Sequence, residues 1–221
     1  MKDSKDTACI KENSTCAVIV AHPDDETLWC GGLILMHPDV KWTIVTLCRK
    51  SDSDRSPKFH KATKTFGARG IMGDLDDGPD QLPLDQQEVQ DAIINLLPAT
   101  KFDLILTHST SGEYTRHLRH EETAKAVLKL WNSDRLQTEQ IWSFAYEDGD
   151  KKYLPRPCPD ADLNIKLPDN IWQQKFKIIT QIYGFSEDSF EAKTTPQKEA
   201  FWIFCFADGI KELINTRSEI K

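Results

Sequence analysis

Apolar residues fall in short runs separated by polar stretches, and through residue 146 two kinds of run alternate. Cys16-Ala17-Val18-Ile19-Val20 is continuous and partly β-branched, which predicts a buried strand over 16–21. The stretch after it, about 26–36, reads as a helix, with Gly31 and Gly32 where it could pack closely on a sheet. Trp42 to Leu47 predicts a second strand. Phe59, Ala62 and Phe66 share one face of a following helix closed by Gly67, and 69–73 reads as a short third strand. Val89, Ala92, Ile93, Leu96 and Leu97 form the stripe of a helix over about 85–97. Asp103 to His108 predicts a buried strand. Ala124, Val127, Leu128 and Trp131 mark a helix over about 118–131, and Ile141 to Tyr146 another strand.

Strands and helices alternating in this way call for an α/β fold: a Rossmann-like, mostly parallel sheet with helices on both faces. The last third is less regular. Leu154 to Pro159 holds three prolines and reads as a loop, and 162–167 as an edge strand. Trp172, Phe176, Ile179 and Tyr183 predict one amphipathic helix, and the apolar run Phe201 to Ala207 fits a strand or a helix equally. Residues 1–14 read as a loose leader. No repeat or linker divides the chain, so 1–221 is expected to be a single domain.

Composition narrows the classes. Of 221 residues, 39% are hydrophobic and 29% charged, as in a globular protein. A net charge of −7 gives no basic excess to displace counterions, which argues against nucleic acid as the main partner. No apolar run reaches the length of a membrane span, and the amino terminus lacks the apolar core of a signal peptide. The six cysteines include no Cys-x-x-Cys pair, and Cys16, Cys48 and Cys205 sit in apolar runs like reduced core thiols. The expectation is a cytoplasmic protein. Residues 74–91 hold seven acidic groups and no Lys or Arg, and read as a solvated loop and helix start.

Candidate chemistry concentrates at two strand ends. The first strand runs into Ala21-His22-Pro23-Asp24-Asp25-Glu26, an imidazole and adjacent carboxylates in a turn stiffened by Pro23. The second region runs from Thr107-His108-Ser109 to His117 and His120, which are three apart at a helix start and so share a face. Ligands of open α/β sheets lie outside the carboxyl ends of the strands. Two histidines and a carboxylate suit a catalytic zinc site with one open position. One of the adjacent aspartates would then ligate and the other act as base, and the remaining histidine would act on an oxyanion or a leaving amine.

These motifs resemble those of the LmbE-like or PIG-L family of zinc-dependent de-N-acetylases, over about residues 16–147. That family removes acetyl groups from N-acetylglucosamine conjugates, including glycosylphosphatidylinositol, mycothiol and bacillithiol precursors. The resemblance implies His22, Asp25 and His120 as metal ligands, Asp24 as base and His117 as the histidine acting on the tetrahedral intermediate. It also implies Arg55 as a substrate-binding arginine. The metal would be zinc or another divalent ion such as Fe²⁺. The partner would be a small amino-sugar substrate, and the family reading is compatible with a homo-oligomer.

The chain departs from the family where relatives usually read Gly-His-Pro-Asp-His. Here the run is Arg116-His117-Leu118-Arg119-His120. With that Asp missing, His117 is left to be oriented by a backbone carbonyl, by Glu113 or by no partner at all. Arg116 and Arg119 would flank the site and, with Arg55, favour a substrate bearing phosphate or carboxylate. Three other readings compete with this one. A haloacid-dehalogenase-type phosphatase needs Asp-x-Asp, and position 26 is Glu. A nucleotide-binding Rossmann domain needs a glycine-rich first turn that is absent. A non-catalytic metal- or sugar-binding module on the same fold is the remaining alternative.

Overall fold

The computed structural model describes residues 10–205. Its centre is a seven-stranded sheet in the order β3-β2-β1-β4-β5-β9-β8. The first five strands are β1 (Thr15–Val20), β2 (Lys41–Cys48), β3 (Arg69–Leu75), β4 (Phe102–Thr107) and β5 (Thr138–Phe144). They pair in parallel. A short hairpin of β6 (Tyr146–Glu147) and β7 (Arg156–Pro157) stands apart. The apolar run that fitted either class is the strand β9 (Lys198–Cys205), antiparallel to β5, and Ala207 lies outside the described residues. Beside it, β8 (Leu163–Lys166) forms the sheet edge.

Parallel pairing requires crossovers, and the helices supply them on both faces. These are α1 (Asp25–Met36), α2 (Arg55–Thr65), α3 (Gln86–Leu96) and α4 (Leu118–Asn132). Alternation along β1 divides the core: Cys16, Val18 and Val20 pack with α1 and α2, whereas Ala17 and Ile19 pack with α3 and α4. Gly32 in α1 allows the close approach expected of it, because a Cβ there would lie 2.4 Å from Leu167.

The predicted single helix around Trp172 and Tyr183 is two pieces. An α-helix, α5 (Asp169–Lys177), passes directly into a π-helical turn at Ile178–Ile182, and α6 (Phe190–Thr194) follows. The face of α5 is also not purely apolar, since Lys175 is fully buried against Glu199 of β9. Ile10 packs against the core, so the inner end of the predicted leader is docked; residues 1–9 lie outside the described range. No helix among the described residues is long and apolar enough to cross a membrane.

The strand order reverses between β1 and β4, which are neighbours although β2 and β3 lie between them in sequence. Such a switch point opens a crevice at the carboxyl ends of the two strands. The two histidine-bearing segments emerge there.

Candidate active site

The turn after β1 is held by its own carboxylates. Asp25 accepts the His22 amide at 2.8 Å through Oδ2, and the Trp29 indole at 3.1 Å through Oδ1. Its side chain is therefore fixed before any ligand arrives. Asp24 caps α1 with φ 108° and ψ −30°. A non-glycine residue in that region costs on the order of 1–3 kcal/mol, which the surrounding bonds must outweigh. Oδ2 of Asp24 accepts from Nη1 of Arg55 at 2.8 Å, and the guanidinium lies 4.7 Å over the Phe185 ring. Burial, with the neighbouring Asp25 charge, pushes Asp24 up to about 8 against the pull of Arg55.

The six predicted site residues all converge on one region. The His120 Nε2 lies 3.3 Å from Asp25 Oδ1, and the His22 Nδ1 3.2 Å from Asp25 Oδ2. The rings of His22 and His117 are 4.6 Å apart, and those of His117 and His120 stack at 4.4 Å. His117 is the N-cap of α4. Burial and the neighbouring His120 and His22 push it down to about 3, so its imidazole is neutral at neutral pH.

Two residues that the sequence pointed to only loosely build the second layer. His108 follows β4 and is fully buried. The Ala21 amide donates to its Nε2 at 3.0 Å, which requires the neutral tautomer with the proton on Nδ1, 2.9 Å from Glu113. Glu113 Oε2 also lies 2.6 Å from His120 Nδ1. Glu113 thus orients His120 and His108, not His117 as the spacing had suggested. The local sequence carries no sign of this role, because it depends on how residues 109–117 close over β4.

The acidic stretch also differs from the expectation of a wholly solvated loop. Asp77 turns inward, with its side chain 6% exposed, and its Oδ1 lies 3.2 Å from His22 Nε2. Arg49 bonds the other carboxylate oxygen, with Nε at 2.8 Å. Arg119, expected at the substrate pocket, is buried and holds this loop in place. It donates to the carbonyls of Asp76 and Leu82 and pairs with Glu122. Arg116 points away to Glu121, at 2.7 and 2.6 Å, and its side chain is 68% exposed. Neither arginine lines the cavity. Arg55 does.

The residues fit a metal ion. Among the described residues, His117 Nδ1 is buried with no partner, and His22 Nε2 and His120 Nε2 are buried facing the carboxylates of Asp77 and Asp25 at 3.2 and 3.3 Å without hydrogen-bond geometry. Orphaned buried nitrogens of this kind are unfavourable unless a ligand uses them. His22, His117 and His120 place ligand atoms within 4.8 Å of one another, and so do Asp25, His108 and His120. In the second group both nitrogens of His108 are already engaged, so His120 and Asp25 are its available members. Beside the site lies a cavity of about 250 Å³, lined by Asp24, Arg55, Tyr114, His117, Phe190 and Glu191 among others. That volume admits an acyl amide and part of its carrier, below the usual range for a whole drug-sized ligand.

Comparison with known proteins bears on the fold and the family. The chain is 21% identical over 185 residues to the uncharacterized protein L374 of Acanthamoeba polyphaga mimivirus, covering 77% of this chain and 76% of the relative. Its fold is similar to a deacetylase of the teicoplanin biosynthesis pathway, with TM-score 0.62 at 13% identity over 89% of this chain and 100% of the other. A zinc-inhibited form of teicoplanin deacetylase gives TM-score 0.62 at 14% identity, with the same coverage. The hydratase GalB of Pseudomonas putida, which acts on 4-carboxy-2-hydroxymuconate, gives TM-score 0.61 at 14% identity over 86% and 95%. Identities this low establish the shared fold, and its members carry more than one chemistry. The match to the GlcNAc-PI de-N-acetylase family spans residues 17–131, from β1 through α4 and thus both histidine-bearing segments: the chain belongs to the PIG-L family.

Proposed function

We propose that this protein is a metal-dependent de-N-acetylase acting on an N-acetylated amino sugar of the N-acetylglucosamine type. The observation that carries the reading is the buried cluster of imidazole nitrogens around Asp25, none of them in a well-formed hydrogen bond, with a second carboxylate, Asp24, at the cavity wall. His22, Asp25 and His120 would hold the ion, zinc or another divalent metal. When bound, such an ion polarises an acyl oxygen and lowers the pKa of water, which is the chemistry amide hydrolysis needs.

The chain's own groups supply the rest. Asp24, held by Arg55 at the cavity wall, takes a proton from the attacking water. The C–O bond forms as the carbonyl π bond opens, and the ring N–H of neutral His117 hydrogen-bonds the tetrahedral intermediate. Collapse breaks the C–N bond, and Asp24 returns its proton to the departing amine nitrogen. Acetate and a free amino sugar result, with atoms balanced. Tyr114 and Phe190 meet edge to face at 5.3 Å and supply apolar surface for the sugar body.

The test joins metal analysis to acetate release from free, phosphorylated and glycosidically linked N-acetylglucosamine. About one ion per chain is expected, lost in Asp25→Ala and His120→Ala. Asp24→Asn should keep the ion while kcat falls on the order of 10²–10⁴-fold. A metal-replete protein that releases no acetate from any of these would sink the reading.

A further inference from the structure

Asp24 is strained, and what holds it comes from far along the chain. Its amide donates to Glu26 Oε2 at 3.0 Å. Glu26 is fully buried, and its other oxygen accepts from the Thr27 hydroxyl at 2.6 Å and from the Tyr183 hydroxyl at 2.7 Å. On its other side the Asp24 carboxylate is bonded by Arg55, whose guanidinium rests on Phe185. Tyr183 and Phe185 are two residues apart in one segment, and both lead to Asp24. One reaches its backbone and the other its side chain.

That segment leaves the π-helical turn Ile178–Ile182. The Tyr183 amide bonds the Ile178 carbonyl at 2.9 Å, and the Phe185 amide bonds the Ile179 carbonyl at 3.2 Å. Gly184, at φ 79°, lets the chain turn between the two aromatic residues. A π turn adds one residue to the helical repeat, which changes the direction of the side chains after it. Continued α-helix would have aimed Tyr183 elsewhere. The widened turn has a local use: it directs two consecutive aromatic contacts at a single catalytic carboxylate.

We infer that Tyr183 and Phe185 are positioning residues for Asp24, the first through Glu26 and the second through Arg55. The inference rests on the reading of Asp24 as base. Tyr183 is not part of the cavity lining and bonds Glu26 instead, so its effect is on where the Asp24 carboxylate points. Misplacement of a reacting group by about 1 Å can cost on the order of 10²-fold in rate, so an indirect contact has a measurable consequence.

The experiment uses Tyr183→Phe, which deletes one hydroxyl, and Phe185→Leu at a half-buried site, with 4-nitrophenyl N-acetyl-β-glucosaminide as probe. Each variant should lower kcat on the order of 10- to 100-fold with KM and metal content unchanged. Phe185→Trp, which keeps a ring under Arg55, should restore most of the loss. In an Asp24→Asn background neither variant should slow turnover further, because each acts only through Asp24. Wild-type kcat in both single variants overturns the proposal, as does a loss that multiplies with that of Asp24→Asn, the mark of a generally loosened fold. Wild-type kcat in Asp24→Asn itself overturns the base reading instead, and is recognised because that variant alone is silent. If Tyr183→Phe does not fold, Phe185→Leu carries the test. If the probe is not hydrolysed, crystal structures of the variants decide. Asp24 should leave φ 108° in Tyr183→Phe, or lose Arg55 in Phe185→Leu; both features intact in both variants overturn the proposal.

Discussion

His108 and His120 stack at 3.9 Å and share one carboxylate, yet only one of them has a nitrogen to offer a ligand. The difference lies in the far nitrogen. In His108 it accepts the Ala21 amide; in His120 it faces Asp25 Oδ1 at 3.3 Å without hydrogen-bond geometry. Glu113 holds both rings and is itself held by the Ser109 amide at 2.9 Å. A carboxylate behind a ligating histidine fixes the tautomer, and losing it costs roughly 10–100-fold in metal affinity. Glu113→Gln should therefore weaken metal binding by about that factor in a chelator competition, with the fold retained. Unchanged affinity would show that His120 is oriented by packing alone. That His22, Asp24, Asp25, His117 and His120 come together was legible because they sit within two short motifs, where sequence neighbours are also spatial neighbours. Asp77, His108 and Glu113 were not, since each takes its role from a partner 55, 87 or 7 residues away, and composition is silent on such closures.

At the scale of elements, two anchors outside the metal site keep its parts in register. The loop 109–117 is tied down by Asp148, which accepts both the Thr115 amide and its hydroxyl at 2.7 Å. Burial opposes ionisation of Asp148, but the Thr115 donors outweigh it and its pKa lies below the ordinary carboxylate value. A depressed folded-state pKa gives stability that is present above the unfolded value, about 3.9, and fades as pH falls through the folded one. Wild type should thus be more stable than Asp148→Asn at neutral pH, and the gap should narrow below about pH 4 in urea titrations. A constant gap would detach Asp148 from acid stability. The second anchor is Glu199 of β9, which accepts the Gly32 and Leu33 amides of α1 at 2.7 and 2.8 Å and pairs with Lys175 at 2.7 Å. Breaking a buried pair strands a charge, so Lys175→Met should cost about 3–5 kcal/mol by denaturant unfolding. A cost under about 1 kcal/mol would mean that the two amides alone satisfy Glu199. Periodicity located the parallel half of the sheet well, because four of its five strands, all but the edge strand β3, are largely buried. It misread the end of α5, where a lysine sits on the buried face and the π turn breaks the 3.6-residue repeat that the pattern assumes.

For the whole molecule, the distribution of charge decides which substrates approach. Three arginines near the motifs had pointed to an anionic substrate, but folding commits each of them: Arg55 to Asp24, Arg116 to Glu121 and Arg119 to Glu122. Arg49, the other arginine at the cavity, is committed to Asp77. The lining carries four carboxyl groups, those of Asp24, Asp25, Asp77 and Glu191, against two guanidinium groups. Around this lies a chain of net charge −7. A phosphorylated N-acetylglucosamine therefore meets a repulsive long-range field and no unpaired arginine at its end, whereas a neutral glycoside meets neither penalty. Raising ionic strength from about 0.01 M to about 0.1 M shortens the screening length from ~30 to ~10 Å. Over that range kcat/KM for the phosphorylated probe should rise, and for the neutral glycoside it should stay nearly flat. A fall for the phosphorylated probe would mean that it displaces Asp24 or Asp77 from its arginine and binds the freed guanidinium directly. Arg55 would then be a substrate-binding residue for an anion, and the contact with Asp24 a resting state broken at each turnover.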